Sequence, residues 1–218
     1  MMRAACMAVV LAWGSWGMAA ASTGSVAVSA PAQNAQQLLA QVRQQLQSAP
    51  VVRGAFVQSK TLQGFKQPLQ SSGRFVLAQG KGMVWQVQQP WASTLRITPD
   101  SLQSLQADGS TSFALQADQE PVLRTINAML FAVMGADVQT LAQHFHVSGS
   151  AQPGKGWQLS LVPREAVLSS WLQKIELQGQ QHVQQVRLQE ARGDVSVISM
   201  TNVANAEVMS GDDAALFD

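Results

Sequence analysis

Two hydrophobic periods divide the chain. In "NAQQLLAQVRQQLQSAP", residues 34–50, Leu38, Leu39, Val42 and Leu46 recur at helical spacing, with Asn34 placed to cap the start and Pro50 to stop the run. This predicts an amphipathic helix whose other face is glutamine. From Val51 the period becomes two, and "VVRGAFVQSK" reads as a strand followed by the loop "TLQGFKQPLQ". "SSGRFVLAQGKGMVWQVQQPW" then gives strands near 72–79 and 82–88 around a Gly-Lys-Gly turn. "STLRITP", "SLQSLQAD" and "TSFALQAD" supply three more, separated by Pro99-Asp100 and Asp108-Gly109. Short strands with frequent turn signals predict one antiparallel sheet.

The middle of the chain breaks this rhythm. "PVLRTINAMLFAVMGAD", residues 121–137, opens on Pro121, has Gly135 near its end and leaves little polar surface around Ile126, Met129, Leu130, Ala132, Val133 and Met134. It predicts an apolar helical insert. "VQTLAQHFHV" continues as a short helix running into a strand, and "GWQLSLVP" is the next strand. A short apolar helical piece, "REAVLSSWL", precedes the strands "KIELQG", "HVQQVRLQE" and "DVSVISMTNVA". The layout is a helix, six strands, a helical insert and five strands. A sheet that wide twists and curls, so it has a hollow face to fill. Along the second strand of the 71–91 stretch, Met83, Trp85 and Val87 share a face. Phe75 and Leu77 share one on its neighbour, and Leu95 and Ile97 continue the pattern. Leu130, Phe131 and Met134 of the insert are the candidates to cover them. Periodicity alone does not distinguish a dry core there from a pocket.

Composition narrows the partners. Of 218 residues only 12% are charged, with 14 Lys plus Arg against 13 Asp plus Glu, and there is no basic run, which argues against nucleic acid. The N-terminus, "MMRAACMAVVLAWGSWGMAAAS", has Arg3, then an apolar run, then small residues at Ala19, Ala20 and Ala21. That is the form of a secretory signal peptide over residues 1–21, cleaved after Ala21 to leave Ser22 first. A membrane anchor is the alternative, but Gly14, Ser15 and Gly17 interrupt an already short run. "STGSVAVSAPAQ", residues 22–33, reads as a disordered leader, and 205–218 as a flexible tail. Cys6 is the only cysteine and lies inside the signal segment, so the mature chain has no disulfide or thiolate metal site.

Candidate chemistry is sparse. No nucleophile elbow, P-loop or Cys-x-x-Cys occurs in the mature chain, and no nucleophile stands with a base, so the chain does not read as an enzyme and no cofactor is implied. The glycines of "AQGKGM" lead into a strand rather than a helix, so they make a hairpin turn and not a phosphate cradle. His144 and His146 lie two apart with Asp137 nearby. They lack a third firm ligand, and the plainer reading is a strand start around a core Phe145; no metal is expected. Arg164 and Glu165 read as a helix start. Arg53, Arg74 and Arg96 lie on separate strands, as solvent-facing cations or as rim groups that bond a ligand headgroup.

"GAFVQSKTLQGFKQPLQSSGRFVLAQGKGMVWQVQQPW" resembles the front of the periplasmic outer-membrane lipoprotein carriers, the LolA family. The pattern is Phe56 and Gln58, a loop, Gly73 and Phe75, then Met83 and Trp85 in a strand ending before Pro90. The resemblance covers approximately residues 34–204 and is nearer to a divergent branch associated with outer-membrane lipids, including aryl polyenes. It implies an α+β fold: an incomplete, half-open antiparallel β-barrel of about eleven strands with a helical lid over its concave face. It also implies a monomeric periplasmic carrier that takes acylated lipoprotein or lipid cargo from an inner-membrane transporter to an outer-membrane receptor. The cargo is a lipoprotein or, in the alternative, a glycolipid or aryl polyene lipid. A further alternative is a periplasmic regulator that binds a protein partner through the same groove. The resemblance tips the apolar face toward a ligand cavity, expected to be lined by Phe56, Phe75, Leu77, Met83, Trp85, Val87, Leu95, Ile97, Leu130, Phe131 and Met134. The chain departs from the family at Gln79, where a family arginine helps to hold the lid closed. This puts the usual latch and cargo in question. Methionine adapts to variable shapes, and an acyl chain gains roughly 0.8 kcal/mol per buried methylene, so an apolar cavity is sufficient chemistry for a carrier.

Overall fold

Every strand pairs with its sequence neighbour except the sixth with the seventh, and one further pairing, of the first strand with the last, sets the architecture. The computed structural model describes residues 35–116, 118, 128, 131, 132 and 137–217, all within the second of the two units into which the chain divides, Gln33–Asp218. The expected signal peptide and leader, and most of the expected insert helix including Leu130 and Met134, lie outside the described residues. Helix α1 (Ala35–Gln45) precedes β1 (Val51–Thr61), β2 (Leu69–Ala78), β3 (Gly82–Gln89), β4 (Ser93–Ile97), β5 (Ser101–Gln106) and β6 (Thr111–Gln116). Helix α2 (Val138–His144) leads into β7 (Phe145–Gln152) and β8 (Gly156–Pro163). Helix α3 (Ala166–Ser169), β9 (Leu172–Gly179), β10 (Val183–Glu190), β11 (Val195–Ala206) and helix α4 (Gly211–Ala215) complete the described order. The eleven strands form one antiparallel sheet in the order β6-β5-β4-β3-β2-β1-β11-β10-β9-β8-β7. β1 pairs with β11 and so joins the two halves, while β6 and β7 are open edges. This is the curled antiparallel sheet expected from the strand pattern, and the half-open barrel that the resemblance implied.

Alternation sorts the side chains onto two faces. Register aligns Val52, Leu77, Met83 and Ile97 on one face, with Phe75, Trp85 and Leu95 beside them. The same inner face carries Val186, Leu177, Leu159 and Leu161 in the other half. Helices α1 and α2 cover that second half. Leu38 and Val42 of α1 and Leu141 of α2 are buried against Phe145, Leu159, Leu177 and Val186. Asp137 caps the start of α2: its Oδ1 accepts from the Gln139 and Thr140 N–H groups at 3.1 and 3.3 Å.

Two glycines explain the first half. Phe56 on β1 faces Gly73 on β2, and Phe75 on β2 faces Gly54 on β1, so each aromatic ring lies over the glycine of the other strand. A Cβ at Gly73 would stand 1.8 Å from the Gln86 carbonyl oxygen and 3.0 Å from the Phe56 ring; one at Gly54 would stand 2.9 Å from the Phe75 ring. The spaced "GAF" and "GRF" of the sequence are therefore one reciprocal packing device.

The tail is a correction. Strand β11 continues to Ala206, and the segment after it folds back on the outer face rather than hanging free. Met209, Leu216 and Phe217 pack against Val51, Val76 and Ala78. Arg53 Nη1 donates to Asp213 Oδ2 at 3.0 Å, and Arg96 Nε to the Leu216 carbonyl at 3.0 Å. Arg74 bonds Gln86. All three strand arginines thus serve the outer face, two of them clasping the C-terminal segment, which is tethered because it covers apolar side chains that the strands leave outward.

Gly73→Ala is expected to cost at least ~2 kcal/mol, because the obstructing atom is backbone and cannot turn aside. Thermal unfolding would show this as a fall of roughly 4–8 °C. Phe217→Ala should lower stability by about 1–2 kcal/mol, more than Arg53→Ala, whose half-exposed ion pair contributes under ~1 kcal/mol. Chemical denaturation of the two variants checks that order.

Candidate functional site

The helices do not fill the whole inner face. A cavity of about 740 Å³ remains between the C-terminal end of α1, strands β1 and β2, strands β10 and β11, and the residues around Phe131 and Thr140. That volume lies within the range of small-molecule pockets. Its apolar wall includes Val52, Phe75, Leu77, Phe131, Met200 and Val203. Arg43, Gln47, Gln79, Gln181 and His182 contribute polar groups around it. Residues 47–49, the β2–β3 turn and the β9–β10 turn lie at one end of the sheet, so the cavity lies toward that end.

The structure divides the expected lining into three groups. Phe75, Leu77 and Phe131 line the cavity. Phe56 and Trp85 stand behind this wall: their rings stack at 3.7 Å between centroids, and Trp85 stacks on Phe75 at 5.9 Å. Trp85 therefore braces Phe75 from the β3 side. Met83 and Ile97 are buried on β3 and β4, and Val87 and Leu95 are half-buried further along those strands. Leu130 and Met134 lie outside the described residues.

Sequence reasoning missed the far wall. Met200 and Val203 are three apart, and strict alternation would put them on opposite faces. A bulge in β11, where Asn202 and Val203 oppose Gly54 and Asn202 takes φ +53°, returns Val203 to the inner face. A register shift in β10 acts in the same way on Val183 and Val186, and both are buried in the core. Only the positive-φ asparagine left a trace in the sequence, and it is a weak one.

Gln79, where the resemblance implied a family arginine, is among the residues that line the cavity. The histidines do not converge on a metal. His144 Nδ1 lies 2.8 Å from Glu165 Oε1, His146 is exposed on the outer face of β7, and Asp137 is occupied in capping α2. No cluster of three metal-ligating side chains occurs among the described residues. Arg164 Nε donates to the Phe145 carbonyl at 2.9 Å, which pins β7 to the connection after β8. His144→Ala should change stability by less than ~1 kcal/mol and leave apolar-probe binding unchanged, as measured by unfolding and probe titration.

Comparisons with known proteins fit this architecture. The family model described as outer membrane lipoprotein carrier protein LolA-like matches residues 27–217. No curated protein matches the chain. Among solved structures, a LolA superfamily protein from Nitrosomonas europaea aligns at TM-score 0.45 and 10% identity, over 80% of this chain and 94% of that one. A putative outer membrane lipoprotein-sorting protein domain from Vibrio parahaemolyticus aligns at TM-score 0.44 and 9% identity, over 85% and 100%. MucB in its complex with MucA from Pseudomonas aeruginosa aligns at 0.35 and 15%, over 82% and 59%. The match of the family model over the whole of the described sheet shows that this chain belongs to the LolA-like outer membrane lipoprotein carrier family.

Proposed function

We propose that the protein is a periplasmic carrier that shields acyl chains in the cavity and passes them from the inner to the outer membrane. The observation that carries this reading is the incompletely filled inner face: α1 and α2 cover only part of it, and about 740 Å³ is left across the β1–β11 seam, between β1 and β2 on one side and β10 and β11 on the other. Burial of methylenes against Phe75, Leu77, Met200 and Val203 supplies the affinity, and no covalent step is needed. Release requires that the segment between β6 and β7 move relative to the sheet, because Ala128, Phe131 and Ala132 of that segment line the same cavity. The loading and receiving partners are an inner-membrane transporter and an outer-membrane receptor, met transiently by a monomer. Gln79 in the latch position favours cargo other than the usual lipoproteins, a glycolipid or polyene lipid.

The second reading is a periplasmic regulator that binds a protein partner through the same groove, and a further apolar surface is open to such a partner. Phe65, Leu69, Trp91, Val167 and Trp171 are exposed. Register places all five at the end of the sheet away from the cavity. Mass spectrometry of an organic extract of protein taken from its native periplasm separates the readings: bound lipid supports the carrier, and a preparation free of lipid supports the regulator.

Leu77→Glu should weaken binding of a fluorescent acyl probe at least tenfold, about 1.4 kcal/mol, because it puts a carboxylate into the apolar wall. Circular dichroism confirms that the sheet survives. Unchanged probe affinity in the folded variant would remove this cavity as the acyl site.

A further inference from the structure

Three chain segments meet beside the cavity and present a short hydrogen-bond relay. The Gln47 backbone N–H donates to the Gln181 carbonyl at 2.8 Å, which ties the α1–β1 connection to the β9–β10 turn. Asn205, on the inner side of β11 opposite Val52, then links their side chains. Its Nδ2 donates to Gln47 Oε1 at 3.4 Å, and its Oδ1 lies 3.0 Å from His182 Nε2. Because the Asn205 oxygen accepts, His182 Nε2 must carry the proton and donate. The two ends of the relay are thereby fixed. In the neutral ring His182 Nδ1 is left as an acceptor, and the Gln47 amide nitrogen is left as a donor. Gln47 and His182 both line the cavity. The two full charges among the described lining residues are opposite, Arg43 and Asp137, so the rim carries no net charge to select an ion.

We infer that Gln47, Asn205 and His182 form a headgroup site for an uncharged, hydrogen-bonding group, an amide or a hydroxyl, attached to the buried acyl chain. This rests on the carrier reading and deepens it. The site accepts one hydrogen bond at His182 and donates one at Gln47. An amide or a sugar ring meets both demands at once, whereas a carboxylate or sulfate can only accept and a quaternary ammonium can do neither. Asn205 is the positioning residue, since it sets the His182 tautomer and the Gln47 amide orientation without itself lining the cavity.

The test is competition against an apolar fluorescent reporter, N-phenyl-1-naphthylamine, using four twelve-carbon ligands. Dodecyl glucoside and N-dodecanoylglycinamide are the neutral arms, and dodecyl sulfate and dodecyltrimethylammonium the charged ones. The wild-type chain should take the neutral ligands more tightly. His182→Ala should weaken at least one neutral ligand about fivefold more than it weakens the charged ligands or the reporter, the worth of one net hydrogen bond. Asn205→Ala should produce the same selective loss, and His182→Gln, which keeps an acceptor, should recover most of it. Loss confined to the glucoside assigns a sugar headgroup, and loss confined to the glycinamide assigns an amide. If the variants weaken all four ligands equally or none, or if wild type favours a charged ligand, the headgroup site is overturned while the carrier reading stands. Failure of wild type to bind the reporter or any of the four overturns the carrier reading and the site together.

Discussion

A sheet with one apolar face must cover that face, and how completely it does so decides what the protein can be. Eleven strands make a hollow too broad for two short helices. The α1 and α2 helices seat Leu38, Val42 and Leu141 on the β7–β11 half and make a dry core there. On the β1–β2 side Ala128, Phe131 and Ala132 line the space that remains beside Phe75 and Leu77. The wall behind that space is stiff. Phe56, Trp85 and Phe75 stack over the two glycines, so the rings are held by one another and by the backbone beneath them. A rigid wall facing an imperfect cover is an arrangement that keeps a cavity from collapsing.

Much of the fold was legible because strands announce themselves locally. Alternation along 51–60, 72–79 and 82–88, with turn residues between, gives the strand count without any knowledge of pairing. Pairing itself is not local. That the first strand lies beside the last, in the middle of the sheet, has no signature in either segment. The outer face was also hidden. Val51, Val76 and Ala78 look like ordinary alternation partners of inner residues, and the segment that covers them, around Leu216 and Phe217, is too short to show a period. The arginines at 53 and 96 gave no sign of their partners for the same reason: Asp213 and the Leu216 carbonyl reach them only through the folded chain.

The candidate site was legible by halves. Phe75, Leu77 and Phe131 were found from alternation and helical spacing. The opposite wall was not, because bulges shift β10 and β11 out of strict period and bring Val183 and Val203 to the same face as Val186 and Met200. Trp85 was rightly placed on the inner face, and its task is to brace the wall. The polar groups at the rim were invisible for another reason. Glutamine covers so much of this surface that no single one stands out until Asn205 shows which amide is engaged.

The seam between β1 and β11 also governs how the chain reaches this state. Val51 to Thr61 has β2 on one side, but its other edge stays unpaired until Val195 to Ala206 arrives from the far end of the sequence. Contacts of such separation are slow to form, because the loop between them must first be closed. Until then β1 and β10 are both bare edges, open to pairing with other chains. The sheet therefore has no half that folds to completion early, and a chain cut short before β11 would be an aggregation hazard.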